Sequence, residues 1–320
     1  MRAIDVNQNL TILKSLFEKG IQDSVAFVKQ KCKTLGLSPQ EPDFIASLCL
    51  KFTPQLFNSL KAVFPKNKFS VTGIYCHQKP IVDIGVGKNP ELGDILFLYI
   101  YKGISGNMLM NSLLFQAKIS RQPISKVSSG DQHQLDLYTK WPEFTYLRAG
   151  NLNGQKRSVL PKTINDGAQY LMIDDHPIYG LSGYPGSFPM GCATPAQILN
   201  LDNTLHDELV DFIKFKSGRI VEIDPTSTKD DWTRMIWDLL EIAKDVASRR
   251  KNIGISGFPR ITSLDSDGFC FFQSESESIL SNLHGELQNI DNNIQDFSSF
   301  DERNSACSVI LIESDEEREG

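Results

Sequence analysis

Asp94-Ile95-Leu96-Phe97-Leu98-Tyr99-Ile100-Tyr101 and Met108-Leu109-Met110-Asn111-Ser112-Leu113-Leu114-Phe115-Gln116-Ala117-Lys118-Ile119 are two nearly continuous apolar runs of strand length. Between them lies Lys102-Gly103-Ile104-Ser105-Gly106-Asn107, rich in turn formers. Two such runs joined by a short loop predict a β-hairpin. With the turn centred on Ser105-Gly106, Asp94 is expected to lie across from Ala117. Side chains alternate along a strand, so Gln116 and Lys118 project together on one face, with Asp94 beside them at the open end of the hairpin. Both charges interrupt runs that otherwise read as buried. A buried charge is costly unless it is paired or bound to metal, so this meeting of an acid, an amide and an amine calls for an explanation.

Phosphodiester hydrolysis is one explanation. Asp94 would hold a hard cation through oxygen, Mg2+ or Mn2+, with the Gln116 amide oxygen and the backbone carbonyl of Ala117 as further ligands. Lys118 would orient or help deprotonate the attacking water and stabilise the charge that builds on phosphorus. The competing explanation is a buried Asp–Lys ion pair at a sheet edge, with Gln116 satisfied by backbone.

Outward from the hairpin, the first 65 residues read as mostly helical, with apolar spacing over 10–28, 42–50 and 53–63. Pro65 stops the third helix. A short strand is expected over 69–75, a polar helix over 131–140 ended by Trp141-Pro142, and strands over 144–147 and 170–173. A Gly- and Pro-rich stretch over 176–195 reads as an ordered loop. Helices follow near 205–215 and 232–249, the latter carrying a stripe of Trp232, Ile236, Leu239, Leu240 and Ala243. A polar segment over 273–305 reads as loosely ordered, and 308–312 as a last strand before an acidic end. The expected divisions are a helical region 1–50, a core 51–175 and a helical extension 176–320.

Composition narrows the classes. A chain of 320 residues that is 40% hydrophobic and 22% charged can bury a sizeable core. Its net charge of -6 argues against a protein that coats DNA through a broad basic surface, although a groove can still be locally basic. The six cysteines are scattered without a Cys-x-x-Cys pair, so neither a disulfide framework nor a structural zinc site is expected. No apolar run follows a basic patch at the start, and no apolar run is long enough to span a membrane, so a cytoplasmic protein is expected. No Gly-rich phosphate loop is followed by Lys and Ser or Thr, and no Gly-x-Ser-x-Gly appears.

Other residues bear on the site. Gln132, His133, Gln134 and Tyr138 lie on the polar helix. Gln134 is a candidate contact to water or phosphate, against the plainer reading of a solvated face. Arg121 and Lys126, followed by Lys140, form a basic grouping near Lys118 and are candidate phosphate contacts. Arg249-Arg250-Lys251 is a second cluster, a candidate phosphate clamp on one side of the groove, placed where cations also suit a helix C-terminus. His77 reads as a loop histidine, and Asp174-Asp175-His176 as a strand-end turn, because adjacent strand residues point in opposite directions.

Gly93-Asp94, then a hairpin, then Gln116-Ala117-Lys118 resembles the PD-(D/E)XK nuclease superfamily, in the Gln-x-Lys form of Mrr-type restriction enzymes and bacterial antiviral effector nucleases. The resemblance covers roughly residues 50–175. It implies an α/β fold: a restriction-endonuclease-like α/β/α core with a central mixed sheet, here with added N- and C-terminal helices. It implies a Mg2+- or Mn2+-dependent nuclease acting on DNA, with RNA left open, in restriction or antiphage defence. A helicase or ATPase partner subunit and homo-oligomers are compatible with it. The alternative is a catalytically inactive nuclease-fold subunit that binds nucleic acid or protein. On this pattern Asp94 takes the place of the motif aspartate, Lys118 that of the lysine, and Gln116 that of the usual acid, which removes one negative charge from the metal site. Many members add an acid from the first core helix. The helix over 53–63 has none, so Asp43 and Glu91 are the nearest candidates.

Overall fold

The hairpin runs form as expected, but the register differs by one residue. In a computed structural model describing residues 3–76, 80–120, 122–174, 189–248, 268–274 and 306–316, Ile95 pairs with Phe115 and Lys102 with Met108. That puts Gln116, not Ala117, across from Asp94. The cause is the loop. It spans Gly103 to Asn107, closed by Gly103 N–H to Asn107 O at 3.0 Å and Gly106 N–H to Gly103 O at 2.8 Å, with Gly106 at φ 82°. A loop of this length sets a register different from a turn centred on two residues, and a one-residue slip changes which side chains share a face.

The elements run in this order: α1 (Ala3–Gln8), α2 (Leu10–Thr34), α3 (Glu41–Ser47), a π-helical turn (Leu48–Phe52), α4 (Thr53–Val63), β1 (Asn67–Cys76), β2 (Ile81–Asp83), β3 (Ile95–Lys102) and β4 (Met108–Ile119). Next come β5 (Ile124–Lys126), α5 (Gln132–Lys140), β6 (Phe144–Arg148), β7 (Lys156–Arg157) and β8 (Ala168–Ile173). The described chain closes with β9 (Met190–Ala193), β10 (Ile198–Asn200), β11 (Asn203–Thr204), α6 (Leu205–Ile213), β12 (Arg219–Val221), α7 (Asp231–Ser248), β13 (Gly268–Ser274) and β14 (Ser308–Glu316).

Among the described residues, nine strands form one mixed sheet in the order β11-β9-β8-β4-β3-β14-β1-β13, with β12 pairing β4 beside β8. The pairings β14–β3 and β4–β8 are parallel, and the others in this sheet are antiparallel. The sheet is therefore not confined to the expected 51–175 core. Strand β14, inserted between β3 and β1, and the edge strand β13 come from the last sixth of the chain, and β9, β11 and β12 also lie beyond residue 175. Two small sheets, β10-β5 and β2-β6-β7, sit apart from it.

Period-two alternation sorts the hairpin side chains into two cores. Ile95, Phe97, Tyr99, Leu113, Phe115 and Ala117 face α2, α3, α4 and α6. Leu96, Leu98, Ile100 and Leu114 face α5 and α7. The result is a mixed α/β fold with helices on both faces of a central sheet, which explains why β3 and β4 read as continuous apolar runs. The predicted stripe of α7 is entirely buried, and its Trp232 indole donates to Ser112 Oγ at 2.9 Å.

Two details prepare the site. Asp43 is buried and accepts the Gln40 N–H at 2.8 Å in a capping box that starts α3. Gly73 allows β1 to approach the helix junction: a Cβ there would meet the Cys49 carbonyl oxygen at 2.5 Å. Among the described residues no helix is long and apolar enough to cross a membrane.

Candidate active site

β4 outruns β3. The ladder between them ends at the Ile95–Phe115 pair, whereas β4 continues to Ile119 with β8 along its other edge. Odd-numbered amides of β4 point toward the β3 side, as the bond from Asp94 N–H to Phe115 O at 2.8 Å shows. Past the end of β3 those amides have no strand to bond. Two carboxylates take its place. Asp94 Oδ2 accepts the Ala117 N–H at 2.7 Å, and Glu41 Oε1 accepts the Ile119 N–H at 2.9 Å. The two amides are two residues apart on a strand, so they bring the carboxylates to within about 7 Å of each other along the edge. By the same alternation the Ala117 carbonyl faces this edge.

Asp94 is held from three sides. Its N–H bonds β4, its carbonyl accepts Ser308 N–H from β14 at 3.2 Å, and its carboxylate also accepts the Gln116 side-chain amide. Gly93 makes room for this placement, since a Cβ there would lie 2.6 Å from Leu114 Cδ1 and 3.1 Å from the Tyr138 hydroxyl. That hydroxyl donates to Leu92 O at 3.0 Å and ties the approach to Asp94 to α5. Asp94 and Gln116 are only 7% and 2% exposed. Gln116 gives its NH2 to Asp94, and its Oε1 is buried with no hydrogen-bond partner among the described residues.

Lys118 is the next β4 residue on the Gln116 face, and its side chain is 21% exposed. Its ammonium lies 3.3 Å from Asp131 Oδ1 at the start of α5. The expected contact of acid and amide is thus present, and the amine pairs with a different acid. Lys118 engages Asp131, while Asp94 engages Gln116 and the Ala117 amide. Partial burial pushes the Asp131 carboxyl up, but the Ser128 hydroxyl at 2.9 Å and the Lys118 ammonium outweigh it and hold the carboxyl below its ordinary range. His133 is pushed down by burial and by Lys88, against the pull of Asp131.

Glu41 is the residue the sequence reading missed. Its carboxyl lies above its ordinary value, chiefly through burial, with Asp94 and Asp131 adding to the effect and the Ile119 N–H and Lys118 opposing it. The folded chain therefore binds this proton more tightly than the unfolded chain does. Ionised Glu41 costs stability at neutral pH, and the cost disappears as pH falls through the raised pKa and below 4.5. Glu41→Gln keeps a side-chain oxygen for Ile119 and removes the charge. It is expected to melt at a higher temperature than the wild type at pH 7, with the gap closing in acid. A lower melting point at pH 7 would contradict this account of Glu41.

The remaining candidates are scattered. Asp43 caps α3, so it is its neighbour Glu41 that reaches β4. Glu91 is half-buried where the chain bridges to Ile81 of β2, three residues before Asp94. Gln134 is 8% exposed on α5, which overturns the solvated-face reading, and its Oε1 also lacks a partner among the described residues. Lys126 is exposed on β5, across from Ile198. Lys140 is exposed and paired with Asp136 at 2.8 Å. The Asp174 N–H bonds Pro189 O at 2.8 Å at the end of β8. Arg121, His77, Asp175, His176 and Arg249-Arg250-Lys251 lie outside the described residues, as does most of the polar segment 273–305.

Glu41 feels the charges of Asp94, Asp131 and Lys118 together, so these four groups form one electrostatic cluster. Three acids against one base leave it negative. No set of three or more His, Cys, Asp or Glu side chains among the described residues is grouped to hold an ion alone. A cation would instead use the Asp94 carboxylate, the unpartnered Gln116 Oε1 and the Ala117 carbonyl, with Glu41 across the edge. All of these are hard oxygen donors, the set that suits Mg2+ or Mn2+. Compared with known proteins, the chain matches no family model, no curated protein and no solved structure.

Proposed function

We propose that the chain is a Mg2+- or Mn2+-dependent nuclease with a restriction-endonuclease-like core, cutting DNA at the edge where β4 passes the end of β3. The observation that carries this reading is the buried Gln116 Oε1 without a partner, beside a buried carboxylate and within a cluster of excess negative charge. A buried carbonyl oxygen left unsatisfied is unfavourable, and a cation shared with Asp94 would relieve both the lone oxygen and the crowded charge. A divalent ion there would supply Lewis acidity toward the phosphate.

The chain's own groups have distinct tasks. Asp94 and Gln116 Oε1 hold the cation, and the strand backbone fixes their geometry. Lys118 stabilises charge developing on the phosphate and orients the attacking water, once its contact with Asp131 opens toward substrate. Gln134 accepts a hydrogen bond from water at the site. The net charge of -6 fits an enzyme brought to DNA by a partner, such as a helicase or ATPase subunit, or by self-association, within restriction or antiphage defence.

A second reading has its own observation. The Lys118–Asp131 pair and the Asp94 bonds to Gln116 and Ala117 already give both charges protein partners, as an inactive nuclease-fold binding subunit would have. Plasmid DNA incubated with the purified chain separates the two. Nicking or linearisation with Mg2+ or Mn2+, abolished by EDTA, is expected. RNA in a parallel reaction identifies the preferred sugar. No cleavage of either polymer with either ion, by a folded chain, favours the binding subunit.

A further inference from the structure

Four of the buried polar atoms without a hydrogen-bond partner among the described residues lie around α5: Gln116 Oε1, Gln134 Oε1, Trp141 Nε1 and the Tyr170 hydroxyl. Native interiors leave few such groups, so several around one helix call for a missing guest. The two amide oxygens can only accept. The Trp141 indole and the Tyr170 hydroxyl can donate, and Tyr170 is the one that stands beside Gln116 on the sheet.

Its position is well defined. Tyr170 pairs with Gln116 across the parallel β4–β8 ladder, so the two side chains stand on the same face of adjacent strands. The ring is fully buried and packs at 5.9 Å, tilted by 53°, against Tyr138, one helical turn along α5 from Gln134. Burial, together with the nearby charge of Asp131, pushes the phenol far above its ordinary range, so the hydroxyl keeps its proton. Asp131 is also the partner of Lys118. This donor therefore stands beside the amide that would hold a cation and within the field of the acid that holds the ammonium.

We propose that the Tyr170 hydroxyl donates a hydrogen bond to a phosphate oxygen of a nucleic-acid strand held at Asp94, Gln116 and Lys118. The assignment rests on the nuclease reading and adds a directional, uncharged contact. Lys118 binds phosphate as a mobile point charge and does not fix its orientation. A hydroxyl on a buried ring packed against Tyr138 does, at little cost in side-chain freedom.

Tyr170→Phe removes only the oxygen and keeps the ring on Tyr138. Four measurements test it: Mn2+-dependent cleavage with kcat and KM separated, binding of a short DNA duplex in Ca2+, Mn2+ binding by calorimetry, and thermal melting of the free chain. Cleavage efficiency is expected to fall roughly 10- to 100-fold and duplex affinity to weaken. Mn2+ binding by calorimetry should not change, because the hydroxyl is no ligand. The free variant should melt at the wild-type temperature or above, because removing an unpartnered buried hydroxyl removes a penalty. Cleavage and duplex binding equal to wild type overturn the inference alone. So does a lowered melting point with the activity loss tracking unfolding, the outcome expected of a hydroxyl held by an internal water. A folded wild-type chain that neither binds Mn2+ nor cuts overturns this inference together with the nuclease reading.

Discussion

Asp94→Asn is expected to reduce metal-dependent cleavage on the order of 1,000-fold, about 4 kcal/mol of barrier at 1.4 kcal/mol per tenfold, while leaving the chain folded. The reasoning separates two jobs of one carboxylate. As a structural acceptor, Asp94 receives the Ala117 N–H at 2.7 Å, and an asparagine Oδ1 can do the same. As an anion, it would balance the cation, and an amide cannot. Asp94→Ala removes both jobs at once. It leaves a buried amide unpaired, at a cost of about 1–3 kcal/mol, in addition to abolishing cleavage. Chemical denaturation of both variants beside a plasmid assay distinguishes the roles. An Asn variant that cuts like the wild type removes Asp94 from the chemistry.

Lys118→Met is the second large expected effect: a 100- to 1,000-fold loss of cleavage, on the order of 3–4 kcal/mol, with little change in stability. The methionine keeps the apolar stem beside Met172 across the ladder. The lost partner is Asp131, and both side chains of that pair are partly open to solvent, at 21% and 35%. Pairs that exposed contribute about 0–1 kcal/mol. A purely structural lysine would show the opposite pattern, with melting lowered and cleavage following it. Asp131→Asn provides a control in the other direction. It frees the ammonium, so cleavage should hold or rise.

The hairpin was legible because its two runs are long, apolar and separated by turn residues. Its register was not, because loops of neighbouring lengths fit the same sequence and differ by the one residue that decides whether Gln116 or Ala117 stands across from Asp94. Glu41 escaped for a different reason. An acid just ahead of a proline at a helix start reads as complementing the helix dipole, and nothing local shows that its carboxylate reaches an amide 78 residues away. Asp43 is the acid the sequence offers near this helix start, and its short reach back to Gln40 makes it a cap instead.

Sheet order was hidden in the same way. β14 was visible as a short strand, but its insertion between β1 and β3 is a pairing over more than 200 residues that no periodicity encodes. Strands of two to four residues, such as β9, β11 and β12, fall below the length at which alternation can be read. The polar helix over 131–140 forms as its spacing predicts, but spacing alone leaves Gln134 between a site contact and a solvated face. The fold instead lays that side of α5 on Tyr170 through Tyr138.

Anomalous diffraction from crystals grown with Mn2+ tests the central claim most directly. The account predicts one peak at the open edge of β4, within coordination distance, about 2.0–2.5 Å, of an Asp94 carboxylate oxygen and Gln116 Oε1, with the Ala117 carbonyl in its shell. Crystals that take up Mn2+ elsewhere, or that leave Gln116 Oε1 bonded to protein or water and no metal at Asp94, would contradict it.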